Sequence, residues 1–304
     1  MPKEVAAYLN CQPGKIIVDC TLGGSGHATT ICKNIIPDGL LIGIDQDLDA
    51  IANAKKVLHP FASNVRLFHG NFIHLPDFLS QLDINAVDGI LLDLGLSQHQ
   101  LEKSGRGFSF NKDEPLDMRM DIQTPTTAAH LVNHLAQKDL YRIFKEYGEE
   151  RWAKQIAGAV IKFRKNETIR SSKQLAEIIS SAIPRRITRE QKIHPATRTF
   201  MALRIAVNKE LEMLASFMAG VVDLLNPKGR LCVLSFHSLE DRIVKRHFKD
   251  LEKGCICPPG LPQCACGRKG RIRLLSKKVV RPTEKEIQAN PMARSTRLRA
   301  AEKL

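Results

Sequence analysis

The amino-acid sequence predicts an α/β protein with an open, doubly wound parallel sheet and an inserted all-helical domain. Within the first hundred residues, short apolar runs alternate with stretches of helical periodicity. Two of the runs, residues 41–44 and 90–92, are apolar on both faces, which is typical of strands in a parallel sheet that helices cover. Beyond residue 104, helical periodicity replaces this alternation until one more apolar run begins at residue 231. A chain of 304 residues, 43% of them hydrophobic, is long enough for about two domains with buried cores.

Four apolar runs in the first hundred residues have the length of strands. They cover residues 16–20, 40–45, 65–69 and 89–94. Helical or helix-bearing connections lie between them, at residues 25–34, 47–58 and 72–82. Repeated β-α-β units of this kind form parallel sheets with helices on both faces, so we expect an open doubly wound sheet.

The middle of the chain has the pattern of a separate helical domain. Residues 105–125 are rich in glycine, proline and charged residues and show no clear periodicity. Apolar residues then recur at spacings of three or four, as expected of amphipathic helices. These segments are residues 144–164, 175–183 and 200–214. Because another apolar strand follows at residues 231–236, we expect a discontinuous α/β domain, residues 1–104 and 199–304, with a helical domain of residues 105–198 inserted.

Charge is distributed unevenly along the chain, whose formal net charge is +14. Residues 1–100 hold 6 Lys+Arg and 10 Asp+Glu, whereas residues 242–304 hold 17 and 5. Clustered positive charge attracts a phosphate backbone and gains affinity through counterion release. The basic C-terminal segment therefore favours a nucleic-acid partner, and a basic tail that only aids solubility is the alternative.

Nothing in the sequence indicates a membrane or secreted protein. No run approaches the roughly 20 apolar residues of a membrane-spanning helix, and the first residues lack the pattern of a signal peptide. Eight cysteines in 304 residues are too few for a disulfide scaffold. We therefore expect a cytoplasmic protein with no membrane partner.

A glycine-rich turn, DCTLGGSGH at residues 19–27, follows the first predicted strand. Doubly wound sheets bind ligands at the carboxyl ends of their strands, and glycines there let a ligand approach the backbone. Asp45 ends the second strand, where a carboxylate can accept hydrogen bonds from both ribose hydroxyls of an adenosine. The dinucleotide fingerprint needs a further glycine where Thr29 stands. The pattern therefore favours an adenosyl ligand without a pyrophosphate, such as S-adenosylmethionine, over the nicotinamide cofactor of a dehydrogenase.

Two further strand ends carry candidate residues, each with two interpretations. Phe72 follows the third strand and either lies near an adenine ring or belongs to the core. Asp93 ends the fourth strand, where it either lies beside the reacting group or serves as a helix cap or ion-pair partner.

His237 and Ser238 follow the strand at residues 231–236, at the same sheet edge as Asp93. The sequence SLED at residues 238–241 also has the pattern of a capping box that opens a helix. We therefore consider His237 as a substrate-contacting residue and Ser238 as a structural cap.

Four cysteines lie within 12 residues near the C-terminus, Cys255, Cys257, Cys264 and Cys266. Four thiolates can hold a tetrahedral zinc ion, but these C-x-C pairs are tighter than the C-x2-C pairs of zinc knuckles. Free thiols are the alternative, and we assign no metal to the chemistry.

Seven sequence blocks occur in the order of a known family. They are DLGLS (93–97), RGFSF (106–110), PLDMRMD (115–121), YGEE (147–150), HPATRTF (194–200), ALRI (202–205) and SFHSLEDR (235–242). Together they closely resemble the bacterial small-subunit ribosomal RNA cytosine-N4 methyltransferase family, the H-type rRNA methyltransferases formerly called MraW. The resemblance extends from Glu4 to Arg299, nearly the whole chain.

The resemblance implies a Rossmann-like, S-adenosylmethionine-dependent methyltransferase sheet with the inserted helical domain. It implies N4-methylation of a specific cytidine in the decoding region of 16S ribosomal RNA, within the small subunit or a late assembly intermediate. By motif, the cofactor contacts of the family fall on Ser25, Gly26, His27, Asp45, Phe72, Asp93 and Gln100. Ser25 stands where a third consecutive glycine is usual in the family.

Asp93 is also the candidate catalytic residue, with His237 as a second candidate. The N4 lone pair of cytosine is delocalised into the ring, so the enzyme must orient the amine and accept a proton or hydrogen bond from it. The candidate RNA contacts, which could instead form ion pairs with Asp117 or Glu149, are Arg106, Arg119, Arg198 and Arg204. A non-catalytic RNA-binding or ribosome-assembly protein is the rival function; it would not need a competent cofactor turn.

Overall fold

The computed structural model describes residues 1–184, 193–255, 257 and 266–304. The chain divides into two compact units. The first comprises Met1–Gly95 and Leu211–Leu304, and the second comprises Leu96–Glu210. In the sequence, the second unit thus interrupts the first.

The first unit contains a seven-stranded sheet built from described residues. Its strands are β1 (Ile16–Asp19), β2 (Leu40–Asp45), β3 (Val65–His69), β4 (Val87–Asp93), β5 (Leu225–Ser235), β6 (Ile272–Leu274) and β7 (Arg297–Lys303). Their order is β3-β2-β1-β4-β5-β7-β6. The first five strands pair in parallel, whereas β7 runs antiparallel to both β5 and β6. The order reverses between β1 and β4, the position at which such sheets bind ligands.

This sheet confirms the predicted doubly wound, Rossmann-like α/β fold, although the sequence did not predict β6 and β7. Successive residues of each central strand face opposite sides because side chains alternate along a strand. Val18 and Ile42 pack in one apolar cluster, while Ile17 and Leu41 pack in another. Burial on both faces explains why these strands are continuous apolar runs in the sequence.

The described helices of the two units are numbered together in chain order. They are α1 (Pro2–Leu9), α2 (Gly26–Ile35), α3 (Leu48–Val57), α4 (Leu75–Ser80), α5 (Gln98–Glu102), α6 (Ala128–His134), α7 (Gln137–Glu146), α8 (Ala153–Arg164), α9 (Ser172–Ala182), α10 (Thr197–Asn208), α11 (Glu210–Gly220), α12 (Ser238–Lys253) and α13 (Glu284–Ala289). In the part of the chain that the structure describes, no helix has both the length and the apolar content needed to cross a bilayer.

The second unit has its own apolar core, in which Phe144 is fully buried. The expected boundaries, 105 and 198, lie inside this unit, because flanking residues pack with the helices. Leu96 lies against the core, and α10 contributes Phe200 and Leu203 to it. The apolar face expected over residues 144–164 belongs to two helices, since α7 ends at Glu146 and α8 begins at Ala153.

Three candidate RNA-binding arginines are held inside the second unit. Arg119 forms a bidentate ion pair with Asp117, with both contacts at 2.7 Å. This ion pair is the alternative that the sequence left open beside RNA binding. Arg204 pairs in the same way with Glu210, at 2.8 Å for both contacts. Arg106 is only 8% exposed, and its Nη1 donates to the carbonyl oxygen of Arg119 at 3.0 Å. These contacts give the three arginines structural roles.

Candidate active site

The turn between β1 and α2 leaves open space beside its backbone. A Cβ atom built on Gly24 or Gly26 would meet no other atom within 4 Å. Ser25 has φ 62° and ψ 19°, the left-handed conformation that glycine adopts most readily. Ser25 therefore adopts a glycine-like turn conformation.

Asp45, at the end of β2, fixes this turn. Its Oδ2 accepts the backbone N–H of Gly23 at 2.9 Å, and its Oδ1 accepts that of Asp47 at 2.9 Å. Burial raises the pKa of Asp45 to about 6, although these two hydrogen bonds act to lower it. Since each carboxylate oxygen can accept two hydrogen bonds, both oxygens retain capacity for a ligand hydroxyl.

Asp93, at the end of β4, lies beside the same turn. Its backbone N–H donates to Thr21 Oγ1 at 2.7 Å, and its Oδ2 lies 3.6 Å from His27 Nε2. Burial raises the pKa of Asp93 to about 7 and lowers the pKa of His27 to about 4. Between these two values both side chains are mainly neutral, so their contact is not an ion pair there.

Asp19 completes a group of three carboxyl groups at the ends of neighbouring strands. It is fully buried, and its Oδ1 accepts the Thr21 N–H at 3.1 Å. Burial raises its pKa well above the usual value, and the charges of Asp93 and Asp45 raise it further. Three carboxyl groups placed together in this way form a site that favours a cationic ligand.

Four buried polar atoms at this site have no hydrogen-bond partner among the described residues. They are Asp19 Oδ2, Ser25 Oγ, His27 Nδ1 and Asp93 Oδ1. Buried polar atoms are nearly always paired in proteins, so atoms of this kind indicate a ligand position. The structure thus brings together the predicted residues Ser25, Gly26, His27, Asp45 and Asp93.

Asp19 and Thr21 are members of the site that the sequence reasoning missed. Asp19 had a signal, because it ends β1 just as Asp45 ends β2 and Asp93 ends β4. Thr21 had none, since its contact with Asp93 joins residues 72 positions apart.

Two more of the predicted cofactor residues, Phe72 and Gln100, have structural contacts of their own. Phe72 is 9% exposed and packs edge-on against Phe217 in the core, with 5.1 Å between ring centroids. Gln100 belongs to the second unit, where it forms a capping box with Ser97 at the start of α5. Their cofactor contacts remain predictions.

The capping box that opens α12 begins one residue earlier than the sequence suggested. His237, not Ser238, is the cap residue, and its Nδ1 accepts the Glu240 N–H at 3.4 Å. Glu240 Oε2 accepts the His237 N–H at 3.3 Å and the Phe236 N–H at 2.8 Å. His237 has the extended backbone of a cap, while Ser238 is already helical. The His237 ring therefore has a structural role, and a catalytic role for it remains a prediction.

Comparison with known proteins identifies the family. Residues 1–304 match the model of the MraW methylase family. The chain belongs to this family. The protein named "Ribosomal RNA small subunit methyltransferase H" from Desulfosudis oleivorans is 57% identical over 304 residues, which cover 100% of this chain and 97% of that protein. Proteins of the same name from Desulforapulum autotrophicum and Geotalea daltonii are 57% and 52% identical, over 99% and 100% of this chain and 96% and 97% of theirs.

Membership in the MraW methylase family confirms the resemblance seen in the sequence and makes S-adenosylmethionine the cofactor. The residues at the strand ends fit this cofactor. The space beside Gly24 and Gly26 admits a ligand, and Asp45 retains acceptor capacity for ribose hydroxyls. The acidic group suits a molecule that carries a sulfonium and an ammonium charge.

Proposed function

We propose that the chain transfers a methyl group from S-adenosylmethionine to the exocyclic N4 of one cytidine in the decoding region of 16S ribosomal RNA. Membership in the MraW methylase family and the shared name of its relatives support ribosomal RNA of the small subunit as the substrate class. The structural observation that carries the proposal is Asp93. This residue ends β4, has a pKa near neutrality, and has a buried Oδ1 with no partner among the described residues.

In the proposed reaction, Asp93 orients the amine and accepts a hydrogen bond or proton from it. The cofactor, when bound, supplies an electrophilic methyl group. Cytosine N4 is a weak nucleophile, so its attack needs alignment and the removal of a proton as the new bond forms. A carboxyl group with a pKa of about 7 is substantially ionised near neutral pH and remains basic enough to accept that proton. Thr21 Oγ1 accepts a hydrogen bond from the Asp93 backbone N–H at 2.7 Å, which holds the backbone of Asp93 in place.

The other residues of the turn have proposed roles in cofactor binding. Backbone groups of Ser25, Gly26 and His27 line the open space beside the turn. The Asp45 carboxylate accepts hydrogen bonds from the ribose hydroxyls. The hydrogen bonds that it already accepts from the backbone N–H groups of Gly23 and Asp47 fix its orientation. The proposal also includes Phe72 and Gln100, to which the family resemblance assigns cofactor contacts.

The proposed RNA-binding surfaces are the helical unit and the basic C-terminal segment. A cytidine inside folded RNA has to leave its stack before the half-buried carboxylate of Asp93 can reach N4. Lys277, Lys278 and Arg281 are exposed and follow β6, so they can contact phosphates without breaking any described ion pair. We propose the small ribosomal subunit or a late assembly intermediate as the partner, and the cytoplasm as the location.

Transfer of labelled methyl groups tests the proposed function. The substrates are free 16S RNA, small subunits and assembly intermediates from a strain that lacks the activity. We expect label in one of them, with loss of turnover in Asp93→Asn and normal turnover in Asp77→Asn, whose side chain is 74% exposed. Near-normal turnover of Asp93→Asn with unchanged cofactor binding would contradict the acceptor role. Tight cofactor binding without transfer to any substrate would favour the assembly-protein alternative.

A further inference from the structure

The C-terminal end of α12 carries a loop whose base is closed by backbone contacts. Gly254 caps the helix with φ 65°, and its Cα lies against the backbone of Lys269. A side chain at Gly254 would collide with that backbone. The Arg271 N–H donates to the Leu251 carbonyl oxygen at 2.8 Å, just before β6 begins. The chain therefore leaves α12 and returns to the same place.

Three thiols converge in this loop. The Sγ atoms of Cys255, Cys257 and Cys266 all lie within 4.8 Å of one another, and all three side chains are half-buried. The Sγ atoms of Cys255 and Cys266 are 3.8 Å apart. A disulfide would bring them to about 2.05 Å, so no disulfide joins the two residues, and the Cys266 thiol lies within hydrogen-bond distance of Cys255 Sγ.

The separation of 3.8 Å is that of two sulfur ligands on one zinc ion. Zinc–sulfur bonds of about 2.3 Å at the tetrahedral angle place sulfur atoms roughly 3.8 Å apart. Cysteine sulfurs are also the commonest ligands of structural zinc sites. Distance and ligand type therefore agree.

The geometry points to a structural Zn²⁺ site formed by Cys255, Cys257 and Cys266, which ties the end of α12 to the approach of β6. Cys264, the fourth cysteine of the sequence cluster, lies outside the described residues. A metal that binds the folded site and not the unfolded chain adds its binding free energy to the stability of the folded protein. The site uses none of the residues proposed for methyl transfer, so the two proposals can be tested independently of each other.

Metal analysis of the full-length protein tests the site directly. The chain is purified without chelators or a metal-binding tag, and its metals are quantified by mass spectrometry. We expect one zinc per chain in the wild type and in Cys11→Ser, a half-buried thiol elsewhere in the first unit. We expect no zinc in the Cys255→Ser/Cys266→Ser double variant. Cobalt added to the apoprotein should give thiolate charge-transfer bands and tetrahedral d–d bands, which the double variant should lack.

Several results would overturn the proposal. These are a wild-type protein that neither retains zinc nor binds added cobalt with thiolate bands, iron in place of zinc, and a disulfide between these cysteines in freshly purified protein. Zinc retained in full by the double variant would also exclude the site. Because the wild-type measurement is decisive by itself, the test holds even if the double variant folds poorly.

Discussion

Replacing Asp93 with asparagine should stabilise the first unit at alkaline pH while it abolishes methyl transfer. Burial raises the pKa of Asp93 from 3.8 to about 7. Since the folded-state pKa is raised, the contribution of Asp93 to the free energy of unfolding is greatest below pH 3.8 and is lost as the pH rises through about 7. Asparagine is nearly isosteric and does not titrate, so the variant avoids this loss.

The pKa shift sets the size of the effect. At 1.36 kcal/mol per pKa unit, the shift corresponds to an upper limit of about 4 kcal/mol. The Asp93 side chain is 29% exposed, and water reduces the cost of the charge. We therefore expect the stability difference between Asp93→Asn and the wild type to grow by roughly 2 kcal/mol between pH 4.5 and pH 8. An acid whose raised pKa lowers the stability of the folded protein is typical of a functional site.

The assay has to follow the first unit specifically. The chain has one tryptophan, Trp152, which lies in the second unit. Tryptophan fluorescence would therefore report unfolding of the second unit and not of the first. Hydrogen exchange of the β4 amides, measured at both pH values, gives the local free energy of opening. The control is Asp77→Asn, which should show no pH-dependent difference. A difference for Asp93→Asn that stays constant with pH, or that shrinks as the pH rises, would refute the reasoning.

Three further predictions concern other parts of the molecule. Thr21→Val removes the acceptor of the Asp93 N–H and should cost about 1–3 kcal/mol in β4 exchange as well as lowering methyl-transfer turnover. Changing Lys277, Lys278 and Arg281 to glutamine should weaken RNA binding and reduce the slope of log K against log salt by about 0.7–0.9 per lost phosphate contact. Phe144→Ala should destabilise the second unit by about 3–5 kcal/mol, followed by tryptophan fluorescence in urea.

Matched controls separate these effects from general damage. Thr30→Val alters a hydroxyl that donates to the carbonyl of Gly26 within its own helix, so β4 exchange should not change. Lys55 and Lys56 are exposed on α3 in the acidic part of the chain, and their replacement by glutamine should leave the salt slope unchanged. If either control reproduces its partner's effect, the corresponding interpretation is wrong.

The apolar runs predicted β1, β2 and β4 because these strands are buried on both faces. The run that predicted β3 is less apolar and includes the exposed Arg66. Only the second half of β5 was predicted, because the strand begins at Leu225 and its first half is mostly polar.

The sequence did not predict β7, in which charged residues alternate with buried Leu298 and Ala300. Those charges are satisfied by distant partners: Arg299 pairs with Asp241 at 2.7 Å, and Glu302 pairs with Arg230 at 3.1 Å. Pairings across 58 and 72 residues leave no local pattern.

The candidate site was predictable where a residue follows directly from its place on a strand. Asp45 and Asp93 end strands of the sheet, and the glycine turn adjoins a strand and a helix. The cap at His237 was misplaced by one residue because a histidine ring can accept a backbone N–H as a serine hydroxyl does. Long-range contacts such as that of Thr21 required the folded structure.

The most direct test of the account is nucleoside mass analysis of 16S ribosomal RNA from a strain that lacks the activity. The strain is complemented either with this chain or with its Asp93→Asn variant. We expect the wild-type chain to restore one N4-methylated cytidine in the decoding region, and the variant, at equal expression, not to restore it. A methyl group on another atom or another nucleotide, or full restoration by the variant, would contradict it.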